Sequence, residues 1–265
     1  MKRKKKKEKF KLPVATLVLS GTLVLFYFLV SGGSTYITPL SKMYPLGVSF
    51  SNLIGAFTYT FSHIGVKHLL GNLMALLAFG AIVEQKIENW HVAGVFLISG
   101  VFAGISYALI HPDVWVIGAS AAVAGLLAVG TVTSTKKTLV AFAAVILLVP
   151  NVILPTSDIA LDALEGWRTG QAEEAQVQMT QLEQQIQAGN YTQETVEQKD
   201  EAEQDYSKAT QSVESLEEGR ETEAATPASF EIHMLGGFFA LAFLWAFDRD
   251  QITAFWRRFV GIVKS

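Results

Sequence analysis

The stretch Trp115-Val116-Ile117-Gly118-Ala119-Ser120-Ala121-Ala122-Val123-Ala124-Gly125-Leu126-Leu127-Ala128-Val129-Gly130-Thr131-Val132 contains no charged residue. It is as long as a membrane-spanning helix, which needs roughly 17–25 apolar residues. Ser120 lies in its first turns, a depth at which a polar group is costly unless it faces a cavity or finds a partner. Five further runs reach or approach the same length: 12–30, 66–83, 92–110, 139–154 and 228–247. Half of the chain is hydrophobic and only 17% is charged. The ionisable residues are gathered into a basic head and one acidic block, which leaves the apolar runs uninterrupted. The composition predicts an all-α membrane protein with six spanning helices.

The head Met1-Lys2-Arg3-Lys4-Lys5-Lys6-Lys7-Glu8-Lys9 precedes the first run directly. That run is too long for a signal-peptide core and is retained as a helix, with the lysines read as a topogenic cluster and no nucleic-acid partner expected. With the N-terminus in the cytoplasm, that side also carries Lys86, Lys136, Lys137, Arg249, Arg257, Arg258 and Lys264, against Lys42 and Lys67 on the other. This bias sets the expected orientation: a multi-pass cell-membrane protein with both termini cytoplasmic. Over residues 252–263, apolar Ile252, Phe255, Trp256, Phe259 and Val263 with polar Arg257 and Arg258 suit an interfacial helix. The chain has no cysteine, which excludes disulfide and thiolate chemistry.

In this topology segments two, four and six run in the same direction. His68 and Asn72 fall in the first turns of segment two, Ser120 in those of segment four, and His233 roughly 9 Å along segment six by helical rise. Four polar side chains from three helices therefore share one layer. A serine hydroxyl is a weak nucleophile until a base takes its proton, and histidine is the usual activator. The start of a helix favours the negative charge that an attacked carbonyl develops. Asn72 lies one turn after His68 on the same helical face, and both can donate hydrogen bonds to an oxyanion. Ser120 and His233 read as nucleophile and base, with an anion hole beside them.

The residues that form this layer also resemble a known family. Phe61-Ser62-His63-Ile64-Gly65-Val66-Lys67-His68-Leu69-Leu70-Gly71-Asn72 resembles the HxxxxHxxxN signature of rhomboid intramembrane serine proteases. Gly118-Ala119-Ser120-Ala121 is similar to their GxSG motif, and His233-Met234-Leu235-Gly236 to the HxxG of their last core helix. The resemblance implies Ser120 as nucleophile, His233 as general base without an acidic third member, and His68 and Asn72 as oxyanion-hole side chains. It adds backbone N–H groups of Ser120 and Ala119 to that hole, and gives supporting places to His63, Gly118 and Gly236. It implies transmembrane proteins as substrates, cut in or near a locally unwound spanning segment, with the active site opening to the extracytoplasmic side. No metal and no cofactor is expected.

Several positions depart from the pattern. Ala121 replaces the second glycine of GxSG, Ala124 stands where an aromatic ring is often found, and Ala240 replaces a glycine. The Trp-Arg pair of the first loop is absent, and Trp167-Arg168 occurs in a different loop. The Ala121 and Ala124 departures favour an alternative, a catalytically impaired rhomboid-like protein that binds transmembrane clients, and the retention of Ser120 and His233 opposes it. A proton-coupled transporter, using His68 and His233 as relays, lacks the accompanying intramembrane carboxylates. His91 and His111 are read as loop residues at the interface.

Residues 156–227 hold most of the acidic side chains. Ala175, Met179, Leu182 and Ile186, then Ala202, Tyr206, Ala209, Val213 and Leu216, keep heptad-like spacing, with Gly189-Asn190 as a break. The expectation is an extracytoplasmic acidic insertion, a helical hairpin or a disordered spacer, open to an extracytoplasmic partner. Asn190-Tyr191-Thr192 is a glycosylation triplet. The expected organisation is a basic N-terminus (1–11), a core of five segments (12–155), the insertion (156–227), the sixth segment (228–247) and an amphipathic tail (248–265).

Overall fold

A computed structural model describes residues 11–31, 40–189, 192–225 and 230–263. The basic head, Asn190 and Tyr191 of the glycosylation triplet, Ala228 and Lys264 lie outside them. The described chain is helical: α1 Val14–Ser31, the short α2 Leu40–Met43, α3 Val66–Glu84, α4 Asn89–Ile110, α5 Ser120–Leu148, α6 Leu154–Gln187, α7 Gln193–Ala225, α8 Phe230–Phe247 and α9 Arg249–Val263. Among the described residues β-pairing is confined to isolated bridges, Val48 with Val116 and Ser49 with Asn52. Among the described residues five helical runs are long and apolar enough to cross a membrane, the fourth being the continuous run Ser120–Gln187.

That fourth run contains a reversal. Ser134 leaves helical geometry (φ −147°, ψ 50°), and a Cβ on Gly130 would lie 2.8 Å from Thr138 Oγ1. Residues eight apart in an unbroken helix are separated by about 12 Å along the axis, so the chain folds back between these two. The second arm of α5 returns along α3, with the Phe79 and Phe142 rings 6.5 Å apart and a Cβ on Gly71 3.9 Å from Val149 Cγ1. Its outer side chains, among them Leu139, Val140 and Leu147, are exposed, as a bilayer-facing surface would be.

Helical geometry does not stop at Pro155, where the sequence suggested a boundary. Pro150 has no N–H, and its ring would crowd the carbonyl one turn earlier in an α-helix. A π-turn over Val149–Ile153 widens the chain there. Pro155 then follows the π-turn directly, as the second residue of α6. The acidic stretch forms the long helices α6 and α7, reversing at Gly189 with φ +91°. Leu161, Ala175, Leu182, Ala202 and Ala209 are buried, and Lys199 Nζ lies 3.3 Å from Glu183 Oε1, which fixes α6 and α7 as antiparallel neighbours.

The main core joins Leu23 and Tyr27 of α1, Leu76, Phe79 and Val83 of α3, Val92 and Phe96 of α4, Leu126 and Val129 of α5, and Leu244 of α8. A charged-type side chain enters it. Glu84, 0% exposed, accepts hydrogen bonds from Ala15 N–H at 2.8 Å, Thr16 N–H at 2.9 Å and Thr16 Oγ1 at 2.7 Å. It thereby satisfies the unpaired N–H groups at the start of α1 and locks α1 onto α3.

Of the two histidines expected in loops, His91 lies instead inside a helix, while His111 stands just past the end of one. His91 is buried in the first turn of α4, its ring 3.5 Å from that of Trp90 and within 6.4 Å of those of Phe243 and Phe247. His111 caps the C-terminus of α4, where its Nε2 lies 2.5 Å from Glu231 Oε2 in the first turn of α8. Each owes its place to a tertiary partner distant in sequence.

Candidate active site

The Ser120 end of the bundle is built by docking the 40–65 loop onto the turn that precedes α5. Val48 and Val116 exchange backbone hydrogen bonds at 3.0 and 2.9 Å, and Trp115 Nε1 donates to Tyr44 O at 3.3 Å. Gly118 N–H donates to Tyr59 O at 2.9 Å. The Tyr59 side chain is buried, raising its phenol above the usual range, and its hydroxyl donates to Gly100 O at 2.7 Å. The residues before Ser120 are thus pinned to both the loop and α4.

Gly118 has φ +114°, a conformation that side-chain-bearing residues rarely adopt. A Cβ there would lie 2.5 Å from His68 Cε1 and 2.7 Å from His68 Nε2, so the imidazole of His68 rests directly on the Gly118 backbone. His63 stands behind it, with ring centroids 5.1 Å apart and an edge-on arrangement. Ala119 N–H donates to His63 Nε2 at 3.4 Å, and His63 Nδ1 lies 3.3 Å from Phe61 O. The first contact makes Nε2 the acceptor and leaves the proton on Nδ1. Burial, and after it the neighbouring His68, holds His63 well below the usual histidine range.

Asn72 is buried, and its Nδ2 donates to His68 O at 2.9 Å. That bond fixes the side-chain amide and leaves its second N–H to point elsewhere. Ser120 opens α5 and is half-buried. Its own N–H is therefore one of those that a helix start leaves without an intrahelical partner.

The remaining member arrives on α8. A Cβ on Gly236 would lie 2.1 Å from Ala121 O, so the two helices meet backbone to backbone. Deeper along the pair, a Cβ on Gly125 would lie 3.1 Å from the Ala240 Cβ. Counting back from that second contact, Ser120 and His233 lie about 7 and about 10 Å toward the same end of the bundle. Both are half-buried, and no hydrogen bond joins their side chains. His63, His68, Gly118, Ala119 and Asn72 thus form a contiguous group, with Ser120 directly after it and His233 on the apposed helix. Tyr59, His111 and Glu231 support this end of the molecule without a sequence signal that would have marked them.

The Rhomboid domain family model matches residues 51–167. Over 70 residues the chain is 31% identical to Rhomboid-related protein 1 of Caenorhabditis elegans, a stretch covering 26% of this chain. The match spans only 20% of that relative's length. No solved structure matches. The helical bundle and the five apolar runs among the described residues make this an all-α membrane protein, and the segment similar to the Rhomboid domain family carries Ser120, His63, His68 and Asn72.

Proposed function

We propose that the protein is an intramembrane serine endopeptidase that cuts other membrane proteins in or near their spanning segments. The observation that carries this reading is the turn before Ser120. Gly118 holds a conformation reserved for glycine, receives the His68 ring on its backbone, and delivers Ser120 to the free N-terminus of α5. In the proposed reaction His233 takes the Ser120 Oγ proton as Oγ attacks the scissile carbonyl. Ser120 N–H, His68 and Asn72 stabilise the oxyanion. His233 then returns the proton to the leaving amine, and water, activated by the same base, hydrolyses the acyl-enzyme. The site would open to the extracytoplasmic side, with both termini in the cytoplasm.

Cleavage of single-span substrates in lipid, compared with Ser120→Ala and His233→Ala, tests this assignment. A second reading, a relative that binds transmembrane clients without cutting them, is favoured by the missing hydrogen bond between Ser120 and His233. Catalytic hydrogen bonds are often long in unliganded enzymes, which keeps the protease reading first. Client binding without cleavage by the parent protein would reverse that order.

A further inference from the structure

α9 lies at the end of the bundle opposite Ser120 and is separated from α8 by Asp248. Protein accounts for its inner side: Ile252 and Phe255 pack against the main core, and Gln251 Nε2 donates to Lys86 O at 3.4 Å. At about 100° per residue, Arg249, Thr253, Trp256, Arg257 and Val260 share an arc of about 100° on another side of the helix. All five are exposed, Trp256 by 55% and Val260 by 44%. Two arginines beside a large aromatic and an aliphatic side chain suit the boundary between headgroups and acyl chains. α8 is long and apolar enough to span a bilayer, so a helix that follows it directly stands at that boundary.

The surroundings of α9 point the same way. Trp90 and Trp245, also at this end, are 54% and 55% exposed, and the Arg249 guanidinium lies 4.6 Å from the Trp245 ring centroid. Half-exposed tryptophans gathered at one level mark a membrane–water boundary. Among the described residues this end carries Lys11, Lys86, Lys136, Lys137, Arg249 and Arg257, against the carboxylates of Glu88, Asp248 and Asp250 once the buried Glu84 is set aside. That excess of positive charge complements an anionic lipid surface. An acidic protein would match the charge, but the place of α9 at the end of a spanning helix already puts headgroups against it.

We propose that the outer stripe of α9 binds anionic phospholipids, with Arg249 and Arg257 on the headgroup phosphates and Trp256 and Val260 in the boundary layer beneath them. The surface is independent of the protease reading, since neither Ser120 nor His233 takes part in it.

Tryptophan quenching tests this in the full-length protein, reconstituted in vesicles of phosphatidylcholine and phosphatidylglycerol in equal parts, with one or the other lipid brominated in its chains. The Trp256 contribution is the difference between each protein and the same protein carrying Trp256→Phe. One cation near an anionic lipid surface is worth about a fivefold preference. The parent should therefore favour phosphatidylglycerol at Trp256 by at least about fivefold, and Arg249→Gln/Arg257→Gln by less than about twofold. Lys4→Gln/Lys5→Gln, which removes the same charge from the basic head, should keep the parental preference. Raising the salt concentration shortens the reach of exposed charges and should lower the preference of the parent. Equal quenching by the two lipids in the parent overturns the proposal and leaves the stripe to an acidic protein or a second copy of the chain. A parental preference in a folded Arg249→Gln/Arg257→Gln protein, or its loss in the head variant, overturns it as well. If the arginine variant does not fold, the head variant and the salt series decide: a preference that survives the first and falls with the second supports the stripe, and either opposite result overturns it.

Discussion

Adding one methyl group at Gly236 would test the contact between α5 and α8 on which the proposed pairing of Ser120 and His233 depends. The new Cβ would stand 2.1 Å from Ala121 O, against about 3.3 Å for an ordinary carbon–oxygen approach. The atom it meets is backbone, so no rotamer change relieves the clash, and α8 must move from α5 by about 1.2 Å. Overpacking of this kind costs about 1–3 kcal/mol of stability, and an ångström of misplacement in a catalytic pair costs on the order of a hundredfold in rate. Gly236→Ala is therefore expected to fold with reduced stability and to lose about two orders of magnitude in kcat. The adjacent Gly237→Ala is the control, because its Cβ would meet the Ala128 Cβ at an ordinary 3.5 Å. Thermal unfolding and substrate cleavage, both in lipid, read the two effects separately. Parental stability and parental kcat in Gly236→Ala would refute the backbone-to-backbone contact and the positioning argued from it.

Other parts of the molecule make independent predictions. Glu84→Gln keeps one acceptor oxygen but turns an N–H₂ toward the donors of α1, and should destabilise the protein by on the order of 3 kcal/mol in thermal unfolding. Because His63 is held neutral in the fold, the unfolded chain binds more protons below its ordinary value of 6.5. The stability that His63 contributes is therefore complete above that pH and is lost as pH falls, at about 1.4 kcal/mol per unit, until its folded pKa is reached. Thermal unfolding of the parent and His63→Gln between pH 7 and pH 5 should show a shallower decline in the variant. Glu231→Gln breaks a partly exposed pair with His111 and should cost less than about 1 kcal/mol by the same measurement.

Much of this architecture is legible in the sequence because a bilayer imposes a length and a polarity on every crossing. Ser120, His68 and Asn72 stand out as polar residues in apolar runs, and Lys136-Lys137 marks the reversal near Ser134 although no glycine or proline lies there. A proline misleads in the opposite direction. Pro155 reads as a boundary, yet the helix continues through it, just after a π-turn that accommodates Pro150. Glu84 looks like a charge at a helix end, and only the docking of α1 turns it into a buried cap. The partners of His63, His91 and His111 lie on other elements, so spacing along the chain does not disclose whether each ring is a clamp, a packed core residue or an exposed pair. Gly236 was visible as part of a motif, but its reason, contact with the Ala121 carbonyl, belongs to the packing of two helices.

The most direct test of the central claim is cleavage of a panel of single-span substrates by the purified protein in lipid, set beside Ser120→Ala and His233→Ala. The account predicts cleavage by the parent and its loss in both variants, with parental folding retained. Undiminished cleavage in a folded Ser120→Ala or His233→Ala protein, or client binding without any cleavage by the parent, would contradict it.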